Sequence, residues 1–227
     1  MWSLDRRVAI SAFVVASLVL AITIGGSDAP LPVQAGTDRV ALAQELATLA
    51  NRGARGAWIV TFTFTRTNPS GNKLHGTLVA AHRGSLDVDE GLGSLTVGNG
   101  NRTYSCTIVG DQPQCLESAA TAGTDRPGDV YGGAVVSGRY DIARGATSTI
   151  AGSRAHCYVL RLRTTVPLAG LGYSSEQCLS SDGVPLESRI TRPGGTDERV
   201  ALTVRRTVGR DDLLAILAPY GLQRLAG

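Results

Sequence analysis

The sequence predicts a mainly β protein of the α+β class, in which an antiparallel sheet is accompanied by an N-terminal helix and few other short helices. Two observations carry this prediction. Short runs of alternating or β-branched residues recur through most of the chain, and most of them are separated by Gly, Asn, Asp or Pro. No segment of helical length alternates with these runs, so a parallel α/β sheet is disfavoured.

The N-terminus has the features of an export signal. Arg6 and Arg7 precede an uncharged apolar run that extends from Val8 to Ile24. Basic residues in front of such a run keep the N-terminus in the cytoplasm, so the rest of the chain lies outside. We expect a cytoplasmic basic stub at 1–7, a signal anchor or transmembrane helix at 8–26, a linker at 27–36 and an extracytoplasmic domain at 37–227. The apolar run is also close in length to a cleaved signal peptide, so secretion after cleavage near Ala35 is an alternative.

The charge of the chain argues against nucleic acid as a partner. The formal net charge is +3, and the basic residues are dispersed along the sequence. A nucleic-acid groove needs a clustered basic face. All but one of the 22 Lys and Arg residues are arginine, and Ala and Gly are abundant, which indicates a GC-rich bacterial genome.

The four cysteines predict disulfide bonds. Cys106, Cys115, Cys157 and Cys178 form an even set, and an oxidising compartment outside the cytoplasm normally pairs thiols. Of the three possible connectivities, 106–115 with 157–178 closes the shortest loops and is favoured for that reason. A zinc site is the competing interpretation, but the chain lacks the Cys-x-x-Cys and His-x-x-x-His spacings. We therefore expect no metal.

The domain opens with a predicted helix and a hairpin. Apolar residues recur at helical spacing after position 37 and stop at "NRGARG", where two glycines break the pattern. The next segment, "AWIVTFTFTR", alternates with a period of two and places Trp58, Val60, Phe62 and Phe64 on one face. After the turn "NPSGN", the segment "KLHGTLVAAH" is the predicted antiparallel partner.

Shorter strands are predicted along the rest of the chain. Their sequences are "SLDV", "SLTVG", "RTYSCTIV", "RYDIA", "STIAG", "AHCYVLRLR", "EQCLS", "PLESRITR" and "RVALTVRRTV". Residues 117–138 are small, polar and glycine-rich, and we expect an irregular excursion with a short helical turn, a candidate lid. The C-terminal "RDDLLAILAPYG" predicts a short helix, since Asp211 and Asp212 suit the positive end of a helix dipole.

Motifs for catalysis are weak. The chain has no Gly-x-Ser-x-Gly elbow, and its glycine-rich stretches lack a phosphate-binding spacing. None of His75, His82 and His156 has a carboxylate at a spacing that would orient its ring. The acidic run "DVDEG" at 87–91 lacks the further ligands of a calcium loop and is interpreted as a solvated turn. We expect a protein that is not an enzyme and has no cofactor; an unrecognised hydrolase is the alternative.

The apolar stripe on the first predicted strand has two interpretations. In a closed sandwich Trp58, Val60, Phe62 and Phe64 would be ordinary core. Two short helices, however, cover little of a sheet of about nine to eleven strands. If that sheet curls open, part of the stripe lines a lipid-sized pocket.

Two blocks of the sequence follow a known order of elements. The first, "AQELATLANRGARGAWIVTFTFTRTNPSGNKLHGTLVAAHRG", gives a helix, an aromatic strand, a turn and a strand with a buried glycine. The second comprises "STIAGSRAHCYVLRLR", "SSEQCLSSDGVPLESRITR" and "RVALTVRRTV". Together they resemble the LolA-like and RseB-like half-barrel superfamily, over about residues 40–210. Paired cysteines suit its actinobacterial members, of the LppX and LprG type, although those are lipid-anchored through a cysteine that this chain lacks.

The resemblance implies a curved antiparallel half-barrel around a hydrophobic cavity that receives acyl chains of a lipid or a lipoprotein. The predicted lipid-binding residues are Trp58, Val60, Phe62, Phe64, Leu74 and Leu78. The N-terminal helix would tether the domain to the cell membrane. As an alternative, the resemblance implies an RseB-like sensory or interaction module that regulates an anti-sigma factor or another membrane-protein partner in the envelope.

Overall fold

A computed structural model describes residues 36–119, 127–168 and 170–227. These residues all belong to one compact unit, Val33–Gly227. The predicted basic stub, signal anchor and all but the last residue of the linker lie outside the described residues, as does part of the glycine-rich segment.

Helices and strands alternate little along the described chain. The helices are α1 (Gly36–Gly53), α2 (Pro127–Val136) and α3 (Arg210–Leu217), and two 3₁₀ turns follow at Ala218–Tyr220 and Gln223–Ala226. The strands are β1 (Ala57–Thr67), β2 (Lys73–Arg83), β3 (Leu86–Gly91), β4 (Ser94–Asn99), β5 (Arg102–Val109), β6 (Gln112–Ala119), β7 (Tyr140–Arg144), β8 (Ser148–Ile150), β9 (Ser153–Leu162), β10 (Ser174–Ser180), β11 (Pro185–Arg192) and β12 (Gly195–Arg205). The predicted N-terminal helix, first hairpin and C-terminal helix are confirmed.

The strands form one curved antiparallel sheet that does not close. Its order is β6-β5-β4-β3-β2-β1-β12-β11-β10-β9-β7, and β8 pairs with β9. The first and last strands are therefore neighbours at the centre. One meander runs outward from β1 to β6, and the other runs from β7 inward to β12. The predicted fold class, a curved antiparallel sheet with few helices, is confirmed.

Cross-strand pairs define the two faces of the sheet, because directly paired residues point to the same side. One such row, from β1 to β9, consists of Phe64, Arg199, Ser188, Gln177 and Tyr158. We call the side on which this row lies the inner face. Trp58 and Phe62 share the inner face, because side chains alternate along β1.

Helices α1 and α2 cover the inner face of β7, β9 and β10. Leu46 of α1 and Val135 of α2 belong to one buried cluster with Tyr140, Tyr158 and Leu160 of the strands. A polar contact accompanies this cluster, since the hydroxyl of Tyr140 donates to the backbone carbonyl of Gly172 at 2.7 Å. This part of the inner face is therefore filled by the protein itself.

Helix α3 covers the opposite face of the other meander. Leu213 and Leu217 belong to a buried cluster with Ala81, Val88 and Val97. Those three residues are direct cross-strand partners on β2, β3 and β4, and they alternate with the inner-face positions. The described helices thus cover opposite faces at the two ends of the sheet, and on the inner face of β2 the end of α1 reaches as far as His82.

Both predicted disulfides are present. Cys106–Cys115 joins β5 to β6, and Cys157–Cys178 joins β9 to β10. In each bond the cysteines are direct cross-strand partners, with Cα atoms 4.0 Å apart. The competing interpretation of these cysteines as thiolate ligands of zinc is wrong.

Two polar segments form regular structure that the sequence patterns do not indicate. All eight residues of β6 are exposed, so no alternation marks it, and Pro113 argues against a strand. The acidic run at 87–91 is part of β3 and not a turn. The turn follows at Leu92 and Gly93, both with positive φ.

The segment 117–138, predicted to be an irregular excursion with a short helical turn, contains a helix in its described part, but it is more regular than expected. Its first residues end β6, and α2 occupies Pro127–Val136. Helix α2 forms despite its glycines because it packs tightly on α1. A Cβ atom on Gly128 would lie 2.2 Å from the carbonyl oxygen of Ala47, and Asn51 donates to Asp129 at 3.2 Å.

The C-terminal end of α1 lies directly against the turn between β10 and β11. A Cβ atom on Gly53 would lie 2.1 Å from the carbonyl oxygen of Gly183, and one on Gly183 would lie 2.0 Å from that of Leu49. Gly183 also has a φ of 86°, which a residue with a side chain adopts only with strain. This backbone contact fixes where α1 ends on the inner face.

Candidate functional site

The inner face carries a cavity of about 330 Å³ at the centre of the sheet. Its size is at the lower end of the range for small-ligand sites, roughly 300 to 1,000 Å³. We call it the sheet cavity. It is lined by Trp58, Phe62, Ala80, Ala81, Asp87, Val88, Asp89, Thr96, Gly98, Gln177, Pro185, Glu187, Ser188 and Arg199.

A second cavity of about 260 Å³, which we call the helix cavity, lies between the sheet and helices α1 and α2. It is lined by Ala50, Gly53, Ala54, Trp58, His82, Asp87, Pro127, Tyr131, Gln177, Leu179, Gly183 and Pro185. Trp58, Asp87, Gln177 and Pro185 line both cavities. We call these four residues the partition. The two cavities therefore adjoin, and one elongated ligand could occupy both.

The predicted lipid-binding residues divide into three groups. Trp58 and Phe62 line the sheet cavity. Val60, Phe64 and Leu78 are buried in the cluster at the centre of the sheet and do not line either cavity. Leu74 of β2 is half exposed and lines neither cavity.

The sheet cavity combines an apolar corner with charged groups. Arg199 Nη1 lies 2.6 Å from a carboxylate oxygen of Asp89, so these two opposite charges compensate each other within the site. Burial raises the pKa of Glu187, and the nearby Glu176 and Glu198 raise it further. The site therefore suits an amphipathic ligand better than a purely apolar one.

His82 is oriented by a carboxylate, contrary to the sequence prediction that no histidine is. Its Nδ1 lies 2.6 Å from Oδ1 of Asp87, and its Nε2 lies 3.0 Å from the carbonyl oxygen of Ala54. His82 and Asp87 are direct partners across the hairpin of β2 and β3. The Trp58 ring stacks on the imidazole with centroids 5.8 Å apart.

Sequence reasoning missed most of the polar residues of the site. Asp89 and Arg199 are 110 positions apart, and Gln177 lies on a strand of the other meander. These residues come together only because β1 and β12 are neighbours. The pair of His82 and Asp87 has a local signal, since a two-residue turn at 84–85 would place them opposite each other.

One group of three potential metal ligands lies close together among the described residues. It consists of Cys157, Glu176 and Cys178. Because the two cysteines are bonded to each other, they offer no thiolate, and Glu176 alone cannot hold an ion. None of the described helices is long and apolar enough to cross a membrane.

No family model matches this chain, and no curated protein matches it either. Among solved structures, MucB matches with a TM-score of 0.50 and 19% identity, covering 74% of this chain and 60% of MucB. A Pseudomonas aeruginosa MucA/MucB complex matches with a TM-score of 0.42 and 20% identity, covering 72% and 56%. A LolA superfamily protein from Nitrosomonas europaea matches with a TM-score of 0.34 and 10% identity, covering 75% and 96%.

The MucB match shows a shared fold. It agrees with the open curved sheet described above, so the predicted half-barrel fold is confirmed. The other two structures, with TM-scores of 0.42 and 0.34, add no argument. The chain spans less than two thirds of the length of MucB.

Proposed function

We propose that this protein is a non-enzymatic extracytoplasmic module that binds a lipid, or the lipid group of a lipidated protein, in the two adjoining cavities. The observation that supports it is an open cleft whose apolar corner contains Trp58 and Phe62. The sequence before the domain supports an extracytoplasmic location and a membrane anchor, because Arg6 and Arg7 precede the apolar run.

An acyl chain fits the physical character of this corner. Each buried CH₂ group contributes about 0.8 kcal/mol, so a chain that fills the corner gains affinity without any covalent chemistry. The charged groups around Asp89 and Arg199 lie at the same cavity and would contact the polar end of the ligand. The ligand we propose is therefore amphipathic, with one acyl chain inserted past Phe62.

Filling the cavity tests the proposal. Ala80 lines the sheet cavity, whereas its neighbour Val79 points to the opposite side of β2. We expect Ala80→Phe to weaken binding of the fluorescent fatty acid cis-parinaric acid at least about tenfold, or 1.4 kcal/mol. Val79→Phe, the matched control, should bind like the parent. Equal binding by both variants would contradict the proposed site.

A second candidate function is an RseB-like sensory module that binds a membrane protein such as an anti-sigma factor. It is favoured by the fold shared with MucB, a protein that has been crystallised with MucA. Deletion of the gene should then change transcription from promoters of one sigma factor, and the full-length gene should restore it. An Ala80→Phe gene that restores transcription while failing to bind lipid would separate this function from the first.

A further inference from the structure

His82 is a buried histidine whose two ring nitrogens both face hydrogen-bond acceptors. Only 5% of its side chain is exposed. One nitrogen faces the carboxylate of Asp87 at 2.6 Å and the other faces the carbonyl of Ala54 at 3.0 Å. A neutral imidazole carries a single N–H and would direct a lone pair at one of these oxygens. The imidazolium form satisfies both, so the geometry favours the protonated ring.

The two hydrogen bonds connect three separate elements. His82 lies on β2 and Asp87 on β3, and Ala54 is the residue that follows α1. Trp58 stacks on the ring and its own Nε1–H donates to the carbonyl of Gly53 at 3.1 Å. The end of α1 is thus held against the sheet by the imidazolium and by the indole. Trp58 and Asp87 are also two of the four partition residues.

We propose that protonated His82 is the positioning residue that keeps Trp58, Asp87 and the end of α1 in place at the partition, and so makes ligand binding depend on pH. The ligand meant here is the lipid of the proposed function, so the pH dependence of binding rests on that proposal. The protonation of His82 and its effect on Trp58 do not depend on any ligand.

The charged groups around His82 favour the same state. The hydrogen bond that His82 donates to the Asp87 carboxylate raises the pKa of His82 above 6.5, although burial lowers it. Tyr131 of α2 lines the same cavity, and burial raises its pKa to about 12, so it stays neutral. At the end of α1, Arg52 donates to the carbonyl of Ser181 and not to the ring.

Among the residues that the structure describes, the remaining elements around the ring bring no titrating group. Strand β1 contributes Trp58, and β10 contributes Gln177, which lines the same cavity. Arg55, next in the chain to Ala54, is exposed. Asp87 is therefore the charge that sets the proton affinity of His82, and it is the residue to change in a test.

The sign of the pH dependence follows from the raised pKa. The imidazolium bonds contribute their full stability below 6.5, where an unfolded histidine is also protonated. That contribution is lost as the pH rises through the higher pKa of the folded state. One of the two bonds then breaks and the end of α1 loosens. Because a preorganised cavity binds more tightly than a mobile one, affinity should fall over the same pH range.

Trp58 reports directly on this equilibrium. The chain has tryptophan at positions 2 and 58 only, so the full chain with Trp2→Phe has a single indole. In nanodiscs, its emission should show one transition with a midpoint above pH 6.5, since imidazolium quenches a stacked indole more than neutral imidazole does. The transition should disappear in His82→Gln and persist in His75→Gln, the control at an exposed histidine of the same strand.

Asp87→Asn keeps the buried ring and removes the carboxylate. It should lower the midpoint by about one unit or more. A transition that persists in His82→Gln, or an unchanged midpoint in Asp87→Asn, would overturn the assignment. Circular dichroism establishes that each variant is folded; if His82→Gln is not, the Asp87→Asn midpoint decides the question alone.

Ligand binding separates this inference from the proposed function. The affinity for cis-parinaric acid should fall about tenfold through the Trp58 midpoint, equivalent to one pKa unit between free and bound protein. In His82→Gln, the affinity should not fall over this pH range. Binding without this pH dependence would overturn the positioning role and leave the proposed function intact. Absence of binding at every pH, with the Trp58 transition present, would refute the proposed function alone.

Discussion

Removal of the Cys157–Cys178 bond should destabilise the domain more than removal of the Cys106–Cys115 bond. The two bonds join residues 21 and 9 positions apart. In the chain-entropy model, loops of these lengths contribute about 3.3 and 2.6 kcal/mol at 25 °C. Burial adds to the difference, because Cys157 and Cys178 are 3% and 1% exposed whereas Cys115 lies on an exposed strand. Each buried sulfur that is removed leaves a gap worth about 1 kcal/mol.

Double alanine variants measure both bonds in the same background. Urea denaturation of the Trp2→Phe chain, followed by Trp58 emission without reductant, gives the free energy of unfolding of each variant. We expect Cys157→Ala with Cys178→Ala to lose about 3 to 5 kcal/mol and to be the less stable variant. Reducing the parent should lower its stability as well. A loss below about 1 kcal/mol, or the reverse order of the two variants, would refute the reasoning.

Two further predictions concern the glycines of α2 and the ion pair of Glu45 in α1. Gly128→Ala should destabilise by about 2 kcal/mol or more, because its Cβ would lie 2.2 Å from the carbonyl oxygen of Ala47. Gly133→Ala has open space and should stabilise α2 by about 0.5 to 1 kcal/mol, so shifts of Tm in the same direction would contradict the packing. The hydrogen bond from Arg144 lowers the pKa of Glu45, so its contribution is present above 4.5 and is lost as the pH falls through the folded pKa. The difference in urea midpoint between the parent and Glu45→Gln should therefore shrink between pH 7 and pH 3, and a constant difference would argue against this ion pair.

Strands in which every second side chain is buried could be located closely from the sequence. The segment that became β1 alternates, and its predicted partner β2 has the register that the turn between them imposes. Strand β6 could not be found in this way, because its residues are exposed on both faces and Pro113 interrupts it. It is held by its pairing with β5 and by one disulfide, and neither leaves an alternating pattern.

The site was predictable only in its apolar part. Trp58 and Phe62 line the cavity as the stripe on β1 suggests, but the same stripe continues into packed core at Val60 and Phe64. Periodicity identifies the face on which a side chain lies and does not show what covers that face. The charged pair of Asp89 and Arg199 depends on a long-range strand pairing, which no local pattern specifies.

The pairing of the first strand with the last has a consequence for biogenesis. During synthesis, β1 emerges well over a hundred residues before β12. Until then the edge of β1 that faces β12 has no partner, and an unpaired edge recruits other chains. Hairpins on either side can form early, because their contacts are local, whereas joining the two meanders depends on distant contacts and is slower. A polypeptide stalled before position 195 would therefore retain its β1 to β6 meander with an unprotected border, the form most exposed to proteases and to aggregation.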